Sequence, residues 1–185
     1  MIDEVLDDVR ARMAKSVEAL HDDLLSIRTG RASPALVEKL PVDVYGMIMP
    51  LNQLASIAVP EPRLLVIRPW DPSALGDIER AILKSELGLT PMSDGKLIRL
   101  SIPRLTEERR RELVKLVSRR VEEARVAVRN LRRDGLQDLK DYEKEKMISE
   151  DDFYLGKDKV QELTDEFIAK VDEIGKRKEA EVMEV

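Results

Sequence analysis

Apolar residues recur through residues 1–30 in steps of three and four: Leu6, Val9, Met13, Val17, Leu20, Leu24 and Ile27. That spacing places them on one face of an α-helix, which is predicted to close near Gly30 with the glycine as C-cap. The same period returns further on, where Leu113, Val117, Val121, Ala124, Val128, Leu131, Leu139 and Tyr142 form a second stripe. Thr106 is a good N-cap for this helix, and Glu107 and Glu108 suit its positive end. About forty residues in one helix make a rod of roughly 60 Å. The pattern breaks at Ser149-Glu150-Asp151-Asp152, where Ser149 can cap a third helix lined by Val160, Leu163, Phe167, Val171 and Ile174. None of the three stripes can be buried alone, so a three-helix bundle is predicted. Separate rods or an extended coiled-coil dimer are the alternatives the stripes leave open.

All nine prolines fall between Pro34 and Pro103. Proline breaks helices, so this partition marks a domain inserted between helical flanks. Strands are predicted at Leu40–Tyr45, Leu54–Val59, Leu64–Arg68 and Leu97–Ile102, with a helix from Pro72 through Ile78, Ala81, Ile82 and Leu83. The expected fold class is α+β, a three-helix bundle of residues 1–30 plus 105–185 with a small inserted α/β or β-sandwich domain at 31–104. The chain crosses between the two at Gly30, Arg31, Ala32, Ser33 and Pro34, and again at Pro103, Arg104 and Leu105. Two such connections let a domain swing while restricting its tumbling, which makes hinges of 30–34 and 102–105. The alternative is a rigid packing of the two domains.

Charged residues make up 37% and aromatics 3% of the chain, which fits helices with aliphatic cores. There is no cysteine, so disulfides and thiolate metal sites are excluded and a reducing compartment is expected. The acidic start Met-Ile-Asp-Glu-Val-Leu-Asp-Asp is unlike a signal peptide, and no apolar run approaches the roughly 18 residues that span a bilayer. A soluble cytoplasmic protein, a monomer without membrane contact, is expected. Its net charge of −5 is unevenly spread. Residues 105–133 carry ten basic and five acidic side chains, whereas residues 134–185 carry nine and seventeen. Contact with a polyanion should therefore be local and oriented.

Catalytic patterns are missing. His21, the only histidine, stands beside Asp22 and Asp23 off the apolar stripe and has no second ligand for a metal. The chain contains no P-loop, GxGxxG or GxSxG, so no catalytic residue, metal site or cofactor is assigned. The positive signal is Ala124-Arg125-Val126-Ala127-Val128-Arg129-Asn130-Leu131-Arg132-Arg133. With Val117 at zero on a helical wheel, Arg132, Arg125, Arg129 and Arg133 project at about 60°, 80°, 120° and 160°. Arg111 and Lys115 fall at about 120° and 160°, with Glu122 the one acid in the row. Arg110 falls only about 20° from the core direction. Arginine forks suit phosphate oxygens, and without stacking aromatics the row suits a structured backbone better than a single strand. The alternatives are a solvated face whose arginines pair with nearby glutamates, or a helical adaptor that binds protein.

Several long motifs in order make the chain resemble the bacterial ribosome recycling factors from end to end. They are Ile27-Arg28-Thr29-Gly30-Arg31-Ala32-Ser33-Pro34, Tyr45-Gly46 with Pro50-Leu51-Asn52-Gln53-Leu54-Ala55, Leu87-Gly88-Leu89 with Pro91, Leu105-Thr106-Glu107-Glu108-Arg109-Arg110, Val126 to Arg133, and Leu163-Thr164-Asp165-Glu166. The resemblance implies a three-helix bundle carrying a small β/α/β domain, flexibly joined in an L shape, that enters the ribosome after termination. It further implies that the bundle lies across large-subunit ribosomal RNA, while elongation factor G with GTP pushes on the smaller domain and the subunits separate. By the same resemblance Arg28, Arg31, Arg110, Arg129, Arg132 and Arg133 are ribosomal-RNA contacts. Two positions depart from the family pattern. Gly135 replaces a better helix former, at an expected cost of about 1 kcal/mol relative to alanine and with a bend in the rod. Val44-Tyr45 stands where the family often has paired tyrosines.

Overall fold

Two separate hydrophobic cores organise the chain. The computed structural model describes residues 1–27 and 29–184. The elements in chain order are α1 (Ile2–Leu25), β1 (Pro41–Val44), β2 (Met47–Pro50), β3 (Ala55–Glu61), β4 (Leu64–Pro69), α2 (Leu75–Lys84), β5 (Pro91–Ser93), β6 (Ile98–Ser101), α3 (Glu107–Lys144) and α4 (Glu150–Met183). They fall into two compact units, Met1–Ile27 with Arg110–Val185, and Arg28–Arg109.

In the first unit α1, α3 and α4 bury their stripes against one another: Val9, Met13 and Leu24 from α1, Val117, Val128 and Leu139 from α3, and Val160, Phe167 and Val171 from α4. The helix starts follow from their caps. The Arg109 amide donates to Thr106 Oγ1 at 3.1 Å. Ser149 and Asp152 form a reciprocal capping box, with the Asp152 amide donating to Ser149 Oγ at 3.0 Å. The end of α1 differs from expectation. It closes at Leu25, where Ser26 Oγ turns back to donate to the Asp23 carbonyl at 2.7 Å, so Gly30 is not its C-cap.

Gly135 also behaves differently from the expected weak point. Helix α3 runs unbroken through it for 38 residues, about 57 Å at the usual rise. A Cβ on Gly135 would sit 2.8 Å from Val9 Cγ2, one on Gly156 2.9 Å from Leu139 Cδ1, and one on Gly175 2.6 Å from Val121 Cγ2. These glycines are there because a neighbouring helix occupies the space of a methyl group, so alanine's better propensity brings no gain.

In the second unit β3, β4, β6 and β5 form an antiparallel sheet in that spatial order. Alternation turns Leu65 and Ile67 of β4, and Ile98 and Leu100 of β6, toward a core closed by Ile78 and Ile82 of α2. Strands β1 and β2 form a separate hairpin whose loop, Tyr45-Gly46, has φ of 52° and 81°. Positive φ at both residues is the type I′ turn that matches strand twist, and Asp43 Oδ1 accepts from the Gly46 amide at 2.9 Å. Strands β2 and β5 were not predicted: each is short, carries a proline at one end, and lacks a clear alternation of buried and exposed residues.

Both chain crossings are fastened inside this second unit. The Ala32 amide donates to the Pro62 carbonyl at 2.7 Å, and the Ile102 amide to the next carbonyl, Arg63, at 2.8 Å. Gly30 has φ of +76°, and a Cβ there would lie 3.3 Å from Leu105 Cγ. One turn, between β3 and β4, thus holds the chain where it enters and where it leaves.

Candidate nucleic-acid interface

The basic row is a product of the register of α3. The residues that bury Val117, Val121, Ala124 and Val128 leave Arg125, Arg129, Arg132 and Arg133 along one flank. Helix α4 runs antiparallel beside it, since Val121 packs at Gly175 and Leu139 at Gly156. This brings Gln161, Asp165 and Asp172, spaced four and seven residues apart, to the margin of the row.

The arginines are not equivalent. Arg125 is committed to the bundle: its Nε lies 2.8 Å and its Nη2 2.7 Å from Asp172 Oδ1, and its Nη1 donates to Glu122 Oε2 at 3.0 Å. Asp172 first, and then Glu122, raise the Arg125 guanidinium above its ordinary value. Arg129 Nη1 donates to Glu122 Oε1 at 3.3 Å. The hydrogen bond from Arg125, followed by that from Arg129, holds the Glu122 carboxyl below its ordinary value despite the opposing effect of burial.

Arg132 and Arg133 have only neutral partners among the described residues. Arg132 Nη1 donates to Gln161 Oε1 at 3.3 Å, and Gln161 in turn donates to Asp165 Oδ1 at 2.9 Å. Arg133 Nη2 donates to Asn130 Oδ1 at 2.9 Å. The Nε of Arg132 is buried without a partner. Two full positive charges therefore stand on the flank with no carboxylate in contact, which is an anion-binding arrangement with no reacting group in it.

The structure gathers Arg129, Arg132 and Arg133 within about 6 Å along the helix axis. Arg110, also on α3, is not gathered with them. Arg110 lies nineteen residues before Arg129 on α3, about 28 Å away, half-buried and with its Nε enclosed. Arg31 is exposed but belongs to the second unit. Arg28 lies outside the described residues. The α4 partners were missed because wheel geometry on one helix cannot show acids supplied by another. His21 is exposed, and no cluster of three metal-ligating side chains occurs among the described residues. Among the described residues no helix is long and apolar enough to cross a membrane.

Comparison with known proteins gives one consistent result. A family model described as Ribosome recycling factor matches residues 20–183. The ribosome-recycling factor of Roseiflexus sp. (strain RS-1) is 58% identical over 185 residues, covering all of both chains. That of Carboxydothermus hydrogenoformans is 56% identical over the same full lengths. A solution structure of a ribosome recycling factor aligns with a TM-score of 0.81 at 41% identity, covering all of this chain and 98% of the other. A second similar structure, at TM-score 0.69 and 46% identity with both chains fully covered, is the T. thermophilus factor in models that also include E. coli elongation factor G bound to the E. coli post-termination complex.

Proposed function

Since the chain belongs to the ribosome recycling factor family, we propose that Arg129, Arg132 and Arg133 are its anchor on large-subunit ribosomal RNA. The chain acts in ribosome recycling, on the post-termination ribosome with elongation factor G as its partner. The observation that supports the anchor is the pair of uncompensated charges on Arg132 and Arg133, beside an Arg129 held by a single carboxylate. Arg110 is a secondary contact in this reading, since it lies outside that cluster on the same helix, and Arg31 and Arg28 are contacts by the family's pattern alone. The protein works in the cytoplasm by binding and being moved. Elongation factor G with GTP supplies the energy, and no residue of this chain makes or breaks a bond.

The moving joint falls outside the two backbone ties of the inserted domain. Ala32 and Ile102 are both tied to the β3–β4 turn, so they travel with the inserted domain. Bending then falls to the residues on the bundle side of those ties, around Gly30 and around Pro103, Arg104 and Leu105. Ser33 and Pro34 start a short 3₁₀ turn, where Ser33 Oγ accepts from the Ala35 amide at 3.3 Å, and they move with the domain as well.

The experiment for the anchor is binding of the Arg129→Ala/Arg132→Ala double variant to large ribosomal subunits across a salt series. Loss of two phosphate contacts should weaken binding and lower the salt slope by about 2, with helical circular dichroism unchanged. Binding and slope equal to the original protein's would remove the anchor from this flank.

A further inference from the structure

Resting on the RNA-anchor reading, we propose that Glu122 is a positioning residue that competes with the RNA backbone for Arg129 and so limits how tightly the α3 row grips the ribosome. Glu122 is bonded to two arginines, but only one depends on it. Arg125 is held independently by Asp172 through Nε and Nη2. Among the described residues the one charged partner of Arg129 is Glu122, at 3.3 Å, in a pair about half exposed on both sides (44% and 52%).

Both residues belong to α3, so their bond joins no two elements, and its consequence falls on the direction of the Arg129 side chain. Seven residues separate them, about 10 Å along the axis. To reach Glu122, Arg129 must lie back along the helix toward the N-terminus. A phosphate that takes Arg129 must displace this carboxylate. Once displaced, Glu122 remains as a negative charge at the edge of an RNA backbone. Like any glutamate it is charged at neutral pH, and the arginines hold its carboxyl further below the ordinary value. Exchange and repulsion both oppose binding, whereas Arg132 and Arg133, bonded to amides, face no such rival. A factor that must leave the ribosome after each round gains from an anchor that is partly self-satisfied when free.

The test is Glu122→Gln, which keeps the side-chain length and removes the charge. For an exposed pair of this kind the expected gain is about two- to five-fold in affinity for large subunits, mainly as slower dissociation, with the melting temperature of the bundle unchanged. Binding equal to or weaker than the original overturns the proposal. The same change made on an Arg129→Ala background should bring less than half of that gain. A full gain there would show that Glu122 acts on the RNA without Arg129 and would also overturn it. The Arg129→Ala/Arg132→Ala variant, measured alongside, separates the two levels. If it binds normally, the anchor itself fails. If it binds weakly while Glu122→Gln brings no gain, the anchor stands and only the competitor is lost.

Discussion

Asp172 of α4 receives both Nε and Nη2 of Arg125 of α3 on a single oxygen, at 2.8 and 2.7 Å. This interhelical ion pair commits Arg125 to the bundle and removes it from the proposed RNA anchor. Because the two side chains are about one-third exposed, solvent screens the pair and its worth is modest. Asp172→Asn should lower stability by about 0.5–1 kcal/mol, seen as a melting temperature about 1–4 °C lower. An unchanged melting curve would show that the pair orients Arg125 without stabilising the bundle.

Gly175→Ala should destabilise the bundle even though alanine is the better helix former. The new Cβ would lie 2.6 Å from Val121 Cγ2, and valine is stiff at χ1, so the helices must separate or the valine must leave its rotamer. The expected loss is about 1–3 kcal/mol in denaturant unfolding. Adding Val121→Ala should recover part of it. If the double variant is no more stable than Gly175→Ala alone, steric conflict is not the cause.

Acid should loosen the inserted domain through two aspartates whose carboxylates accept backbone amides. Asp71 is held below its ordinary value of 3.8 by the Ser73 amide and then the Ser73 hydroxyl. Asp94 is held below 3.8 chiefly by the amides of Lys96 and Leu97. A depressed folded pKa contributes stability that is complete above the unfolded value and disappears as pH falls through the folded one. The domain should therefore lose stability on acidification below 3.8, and Asp94→Asn should flatten that loss. An acid limb equally steep in the Asn variant, measured by thermal melts at stepped pH, would assign it to other groups.

Motion between the units is testable by covalent restraint. A verified disulfide engineered between the bundle and the inserted domain should leave subunit binding intact and abolish splitting with elongation factor G and GTP, with activity returning on reduction. Full splitting by the cross-linked protein would show that no swing is required.

Much of this architecture could be read from the order of residues. The three stripes, Thr106 and Ser149 as caps, and the confinement of proline to one segment all act through local geometry, which a single chain displays. What could not be read depends on partners distant in sequence. The end of α1 was set by Ser26 bonding backward, and Gly30 was needed for a positive φ beside Leu105. Gly135 looked like a weak helix former until Val9 was found in the space of its missing methyl. At the candidate site, the wheel placed the arginines on one flank but treated Arg125 and Arg129 alike. Asp172 distinguishes them, and it lies 47 residues downstream of Arg125.

The β3–β4 turn has a further consequence, for the modularity of the chain. Because consecutive carbonyls at Pro62 and Arg63 receive the incoming and outgoing strands, the inserted domain begins and ends at nearly the same point. It could be cut out and the gap bridged by a few flexible residues, leaving a bundle with its arginine row intact. The excised piece could likewise be closed into a ring or given new termini at Tyr45-Gly46, the tip of its hairpin. The bundle with the proposed anchor and the inserted domain would then be available as separate molecules, each open to measurement without the other.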